Sequence, residues 1–236
     1  MKRRVLGAVR TLLLICLSVN LFFGSALKGK QYNVFYSNPN HAGMIALTFD
    51  DGPHPRYTPE ILNILDEYGI KATFFVVGEN VSYYSDIVKE EIARGHEIGN
   101  HTYEHKNISG YDSERLTREI KKCEEALASL DYSCKLFRPP EGALGEQQGR
   151  QIKELDYRVI LWNLDTRDWA HNTPWQISNY LMKNVKSGDI ILMHDFVGKN
   201  SPTPAALRIF IPKMLAAGYS FVTVSELIGG VAEGDY

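Results

Sequence analysis

Two carboxylates stand side by side, Asp50 and Asp51, where the apolar run of ALTFDDGPHP (residues 46–55) meets a turn. Two imidazoles four residues apart, His101 and His105, stand in HTYEH. A lone arginine, Arg138, follows the run KLF, and a third histidine, His194, follows DIILM. Paired acids at a turn either solvate it or hold something positive. One carboxylate with two imidazoles is a donor set for a divalent metal, and a His-His-Asp set leaves a coordination position open, as hydrolytic sites require. If HTYEH is helical, its spacing projects both imidazoles from one face. Alone the pair is weak, because two partly exposed loop histidines would read the same way. The second acid strengthens it: one carboxylate can bind the cation while the other takes a proton from an attacking water.

These residues need elements to hold them. Seven short apolar runs read as strands: MIALTF, ATFFVV, HEIG, KLF, RVILWNL, DIILM and SFVTV. Helical segments fall between them: PEILNILDEYG, with Pro59 in its first turn and Gly69 at its end; DIVKEEIARG after Ser85; and a long helix capped by Asp112 or Ser113. Pro202 and Pro204 start another, which Pro212 bends. Such alternation implies a parallel sheet covered by helices. Asp50 and Asp51, His101 and His105, Arg138, Asp165 and Asp168, and His194 each follow a different run. Polar residues at the C-terminal ends of many strands are how a barrel builds a site, whereas an open sheet gathers them at one crevice. The reading is a barrel.

With 44% apolar and 23% charged residues, the 236-residue chain has the balance of one globular domain. Its opening differs. Lys2, Arg3, Arg4 and Arg10 precede a charge-free run from Thr11 to Leu27, the pattern of an export signal or an uncleaved membrane anchor. Residues 1–27 are read as that segment, 28–43 as a polar connector, 44–228 as the domain and 229–236 as a tail. Cleavage after Ala26 would remove four positive charges and no negative ones, moving the formal charge from −2 to −6. An acidic exported domain without a basic cluster argues against nucleic acid as a partner. Membrane association is expected only through the N-terminal segment. Cys123 and Cys134 have two readings, a disulfide in oxidising surroundings or, for Cys123, a place in the helical stripe Leu116, Ile120, Cys123, Leu127, Leu130.

Taken in order, TFDDGP, HTYEH, RPPEG, DTRDW and LMHD resemble the five motifs of the polysaccharide deacetylase family, also known as the NodB-homology family or carbohydrate esterase family 4. The likeness covers residues 44–228 and is closest to bacterial peptidoglycan N-acetylglucosamine deacetylases. It implies a distorted, incomplete (β/α)7 barrel and a divalent metal, usually zinc, held by Asp51, His101 and His105. It further implies that Asp50 is the catalytic base, Arg138 its partner and His194 the general acid, oriented by Asp168. The backbone N–H of Glu141 matches an oxyanion donor, Trp169 a wall of the groove, and Leu192 an apolar pocket for the acetyl methyl. Asp165 is left without an assigned partner. Trp162 is read as core, Asp195 as turn chemistry, and His41, His54, His96 and His171 as structural or solvated. The family usually has Tyr where this chain has Glu141, which bears on substrate preference more than on chemistry.

The expected function is therefore metal-dependent removal of acetyl groups from an extracellular polysaccharide by a monomer, with N-acetylglucosamine of peptidoglycan as the leading substrate. Acetylated xylan or chitin is the alternative. A carbohydrate-binding protein with dead chemistry is a reading of another class, and a membrane-anchored scaffold without metal a third. Acetate release with and without a chelator separates them.

Overall fold

The computed structural model describes residues 32–229; the signal or anchor read at 1–27 and the tail beyond Gly229 lie outside the described residues. Nine short strands make the sheet: β1 (Val34–Phe35), β2 (Met44–Asp50), β3 (Thr73–Val76), β4 (Glu97–Asn100), β5 (Leu136–Phe137), β6 (Arg158–Ile160), β7 (Leu164–Asp165), β8 (Ile190–His194) and β9 (Ser220–Phe221). Their order is β1-β6-β5-β4-β3-β2-β8-β7, with every neighbouring pair parallel. β9 pairs with the first residues of β2, Met44 and Ile45. Helices pack around the sheet: α1 (Tyr57–Glu67), α2 (Gly78–Tyr83), α3 (Ser85–Ala93), α4 (Ser113–Ala128), α5 (Glu146–Glu154), α6 (Pro174–Asn184), α7 (Thr203–Ala216) and α8 (Val224–Ile228). The result is a curled, parallel half-barrel, the incomplete (β/α) barrel expected. Among the described residues no helix is long and apolar enough to cross a membrane.

Burial explains why these runs become strands. Within β2, Ile45, Ala46, Leu47 and Phe49 are all fully buried, the unbroken apolar run of a parallel strand covered on both faces. The core gathers Ile45, Leu47 and Phe49 with Phe74, Val76, Ile98, Phe137 and Val159 of the sheet, and with Ile61, Leu65, Leu116, Ile120 and Phe210 of the helices, while Ala46 faces a second cluster with Phe75 and Ile160. Asp112 caps α4, its carboxylate accepting the Arg115 N–H at 2.8 Å. Cys123 takes the stripe reading: it is buried on α4 with Leu116, Ile120 and Leu127, and neither it nor Cys134 is in a disulfide.

Two departures from the sequence reading lie at the barrel's open side. The run RVILWNL is two strands, β6 and β7, at almost opposite ends of the sheet order. The chain crosses the gap at Leu161–Asn163, where Asn163 donates to Asp189 at 2.6 Å and accepts the Ile190 N–H at 3.0 Å. The connector contributes a strand of its own, β1, which pairs with β6 through Val34–Val159 and Phe35–Ile160.

Beneath the site lie two buried carboxyls. Asp195 accepts from the Thr58 hydroxyl, and burial pushes its acid up to about 7. Glu91 on α3 is fully buried, and neither of its oxygens has a protein partner. Burial, with the charges of Asp195 and Glu90 added, holds its carboxyl well above the ordinary 4.5. The folded state thus binds a proton that the unfolded chain releases. That contribution to stability is present below about pH 4.5 and is lost as pH rises through the folded value. Glu91→Gln should therefore raise the melting temperature at pH 8 and change it little at pH 4. Equal pH slopes for both proteins would show that Glu91 carries no such linkage.

Candidate active site

The ends of β2, β4, β5, β7 and β8 open into one cavity of about 520 Å³. Asp50 is the last residue of β2 and His194 the last of β8, and the two are register partners. Asp51 follows in a left-handed conformation (φ 76°), its carbonyl held by the Asn80 amide at 2.8 Å. The next residue must lack a side chain for packing reasons: a Cβ on Gly52 would lie 2.0 Å from a carboxylate oxygen of Asp195. Asp195 is therefore a buried buttress of the acid turn rather than turn chemistry of its own.

HTYEH is not helical. It is an irregular loop in which Thr102 (φ 68°) and His105 (φ 51°) both take the left-handed conformation. The Glu119 carboxylate of α4 accepts the Tyr103 and Glu104 N–H groups at 3.2 and 2.9 Å, and the Thr102 hydroxyl accepts that of His105 at 3.2 Å. The doubled reversal does what a helix turn would have done. It brings the two imidazoles to 4.9 Å between centroids. Their Nε2 atoms lie 3.5 Å (His101) and 2.9 Å (His105) from Asp51 Oδ1.

Asp51, His101 and His105 could hold a metal ion, since one ligand atom from each lies within 4.8 Å of the others. The surrounding bonds fit such a role. His101 Nδ1–H donates to the Arg138 carbonyl at 2.7 Å, which orients the ring and turns Nε2 toward Asp51. Burial pushes the Asp51 carboxyl up, but hydrogen bonds and charges from both histidines pull it well below the usual carboxylate range. Burial pushes His105 down, but Asp51 more than reverses this and raises it. Ligation needs neutral imidazoles, so metal binding at this triad would be coupled to proton release.

Asp50 faces the same cavity from a different environment. Its Oδ1 accepts from Arg138 Nη1 at 2.7 Å, while Oδ2 stands 3.7 Å from His101 Nε2. Arg138, which follows β5, is fully buried and makes four hydrogen bonds in all: Nη1 also donates to the Thr48 hydroxyl at 2.7 Å, Nε to the Ile160 carbonyl at 3.2 Å and Nη2 to that of Leu161 at 3.1 Å. Its guanidinium lies 4.0 Å over the Phe75 ring.

A second acid–imidazole pair stands at the end of β8. Asp168 is buried and accepts four bonds: from His194 Nδ1 (2.7 Å), the His194 N–H (2.8 Å), the Thr203 hydroxyl (2.7 Å) and the Trp169 N–H (3.1 Å). Burial disfavours the charged imidazole, but Asp168, helped by the charges of Asp50 and Asp51, raises His194 to about 9. At neutral pH it carries a proton on Nε2, the nitrogen Asp168 does not use.

Glu141 lines the cavity in a left-handed conformation (φ 59°), its carboxylate accepting from the Asn107 amide at 2.6 Å. Buried Leu192 and half-exposed Trp169 are also in the wall. Asp165 finds its partner within its own turn, accepting the Arg167 N–H at 2.8 Å. Sequence reasoning missed three participants. Trp162 is both core and groove: partly buried, it packs against the apolar cluster that includes Phe75 and Ile160, and it also lines the cavity, where a Cβ on Gly142 would lie 2.9 Å from its ring. Phe196 also lines the cavity, 41% exposed and backed by His54 at 4.6 Å in a near-parallel stack. Thr48 completes the Arg138 bonds from inside an apolar strand, where nothing local marks it.

The comparisons agree with this geometry. Residues 37–160 match the family model described as polysaccharide deacetylase. A peptidoglycan-N-acetylglucosamine deacetylase of Bacillus cereus is 42% identical over 197 residues, covering 83% of this chain and 92% of that protein. A chitooligosaccharide deacetylase of Azorhizobium caulinodans is 34% identical, covering 75% and 90%. A crystal structure of a peptidoglycan N-acetylglucosamine deacetylase superposes with a TM-score of 0.81 at 36% identity, covering 84% of this chain and 93% of the other. With a parallel half-barrel, a metal-competent triad and two acid-paired side chains facing one cavity, this chain belongs to the polysaccharide deacetylase family and is an enzyme of that kind.

Proposed function

We propose that this protein removes the acetyl group from N-acetylglucosamine residues of peptidoglycan, outside the cytoplasm, with residues 1–27 serving as export signal or anchor. The observation that carries the reading is the division of labour at the paired acids: Asp51 faces two imidazoles and Asp50 faces a buried arginine. A divalent cation, zinc in this proposal, held by Asp51, His101 and His105 would supply Lewis acidity and make water a better nucleophile. Asp50 Oδ2, the oxygen not taken by Arg138, accepts a proton from the attacking water. The Glu141 N–H donates to the acetyl oxygen as negative charge grows there. His194 Nε2 then gives its proton to the leaving nitrogen, with Asp168 balancing the imidazolium charge. Leu192 takes the acetyl methyl, and Trp169 walls the groove.

The test is acetate release from purified peptidoglycan, N-acetylglucosamine oligomers and acetylxylan, before and after chelation. We expect release from the first two, abolished by the chelator and restored by zinc, with close to one bound metal per chain. Full turnover in thoroughly demetallated protein would remove the triad from the chemistry. Release from acetylxylan alone would replace peptidoglycan as substrate.

A further inference from the structure

Because the sheet is parallel, residues that open or precede its strands gather at the end of the barrel opposite the catalytic cavity. A hollow of about 420 Å³ lies there. Asn33 precedes β1, Lys135 precedes β5, Arg158 opens β6, and Lys153 stands in the last turn of α5. Buried Phe35 and Tyr157 are its apolar lining.

The charge here is the reverse of that at the cavity. Asp156, the one acid among the described lining residues, pairs with Lys135 at 3.2 Å. Among the described residues, the exposed side chains of Lys153 and Arg158 form no hydrogen bond or ion pair. Two uncommitted cations thus stand over an aromatic floor. At the other end Asp50, Asp51, Glu141 and Asp165 line the cavity. An anionic surface is repelled by the cavity end and attracted by this one.

The course of the chain favours a bilayer as that surface. The segment read as export signal or anchor ends at Leu27, and Asn33, six residues on, already lines the hollow. Six residues span at most about 20 Å, so a segment held in a bilayer keeps this face within reach of the headgroups. We propose that the hollow binds the phosphate of an anionic phospholipid headgroup at the outer face of the membrane, which turns the catalytic cavity away from the bilayer. The assignment rests on the export part of the proposed function and not on its substrate.

The experiment uses the full chain reconstituted in vesicles of phosphatidylcholine alone, or of phosphatidylcholine and phosphatidylglycerol in equal parts. Reductive methylation read by mass spectrometry gives the rate at Lys153 relative to exposed Lys199, which follows β8 at the cavity end. A ratio taken within one molecule removes the effect of vesicle sidedness. Two cations at an anionic bilayer are together worth about 30-fold in occupancy. Phosphatidylglycerol should therefore lower the ratio at least about five-fold, and salt at about 1 M should restore it. Arg158→Glu reverses one of the two charges. It should abolish the protection of Lys153 and leave acetate release from soluble N-acetylglucosamine oligomers unchanged. A ratio equal in the two vesicles, or lowered just as far in Arg158→Glu, would overturn the site. Equal protection by inorganic phosphate in the neutral vesicles would reassign the hollow to a free anion and overturn membrane docking. A chain that floats only with phosphatidylglycerol vesicles would lack the anchor and still support the site. Absence of acetate release would sink the proposed function alone, because the methylation ratio does not depend on turnover.

Discussion

Asp50→Asn should retain its metal and lose turnover by about 10²–10⁴, the usual contribution of a positioned base, whereas Asp51→Ala should lose metal and turnover together. The two acids are neighbours in sequence, but their surroundings differ. Asp51 contributes one of three ligand atoms, so its truncation leaves two imidazoles, and excess metal should recover only part of the loss. Asp50 touches the triad only at 3.7 Å, from the oxygen opposite Arg138. Asparagine keeps its shape and removes its basicity. The structure adds a consequence for stability. Arg138 is wholly shielded from water, so deleting the opposing charge strands a guanidinium in the interior, at a cost of about 3–5 kcal/mol. Asp50→Asn should therefore melt well below the parent protein and must be assayed beneath that lower midpoint. Metal content, acetate release and melting temperature, measured on both variants, decide the matter. Metal lost from Asp50→Asn and kept by Asp51→Ala would exchange the two roles.

Removing the imidazole of His194 should damage amide hydrolysis far more than ester hydrolysis. An amine leaves poorly without a proton and an alcohol leaves more easily. His194→Gln should thus fall by about 10²–10⁴ on N-acetylglucosamine oligomers and by no more than about ten-fold on an O-acetyl ester. The pH profile of the unaltered enzyme carries the same information. With His194 at about 9, the acid form is present through neutral pH and is lost above it, which sets the alkaline limb. Asp168→Asn removes the negative charge that holds the imidazole up against burial. Its pKa falls, so the alkaline limb should move down by more than one pH unit. Equal losses on amide and ester, together with an unmoved limb in Asp168→Asn, would exclude His194 as the acid.

The chemistry of this site was more legible in the sequence than its supports. Asp50, Asp51, His101, His105, Arg138 and His194 each follow an apolar run, and strand-end polarity is visible one residue at a time. The shape of HTYEH was not. A four-residue spacing suggests a helix, but two left-handed residues, neither of them glycine, give the same convergence, and the carboxylate that fixes the loop is on α4 at Glu119. The groove half of Trp162's role stayed hidden because RVILWNL has the composition of one strand, while the barrel's gap falls inside it. Asp195 and Glu91 carry no local sign of burial, since what encloses them comes from elements far away in the chain. The alternation of runs and the polar strand ends already pointed to a barrel; the resemblance supplied its incomplete closure.

Arg138 also has a topological meaning. From the end of β5 it reaches across the barrel to Thr48 and Asp50, 90 and 88 residues earlier in the chain, and forward to carbonyls 22 and 23 residues later. Contacts of that span close large loops and are slow to form. Asp50 meets its partner only once β2, β5 and the end of β6 have come together, although the FDDG turn could exist long before. Catalytic competence is therefore a property of the assembled barrel, and it arrives with the late tertiary contacts, not with the turn that holds the acid.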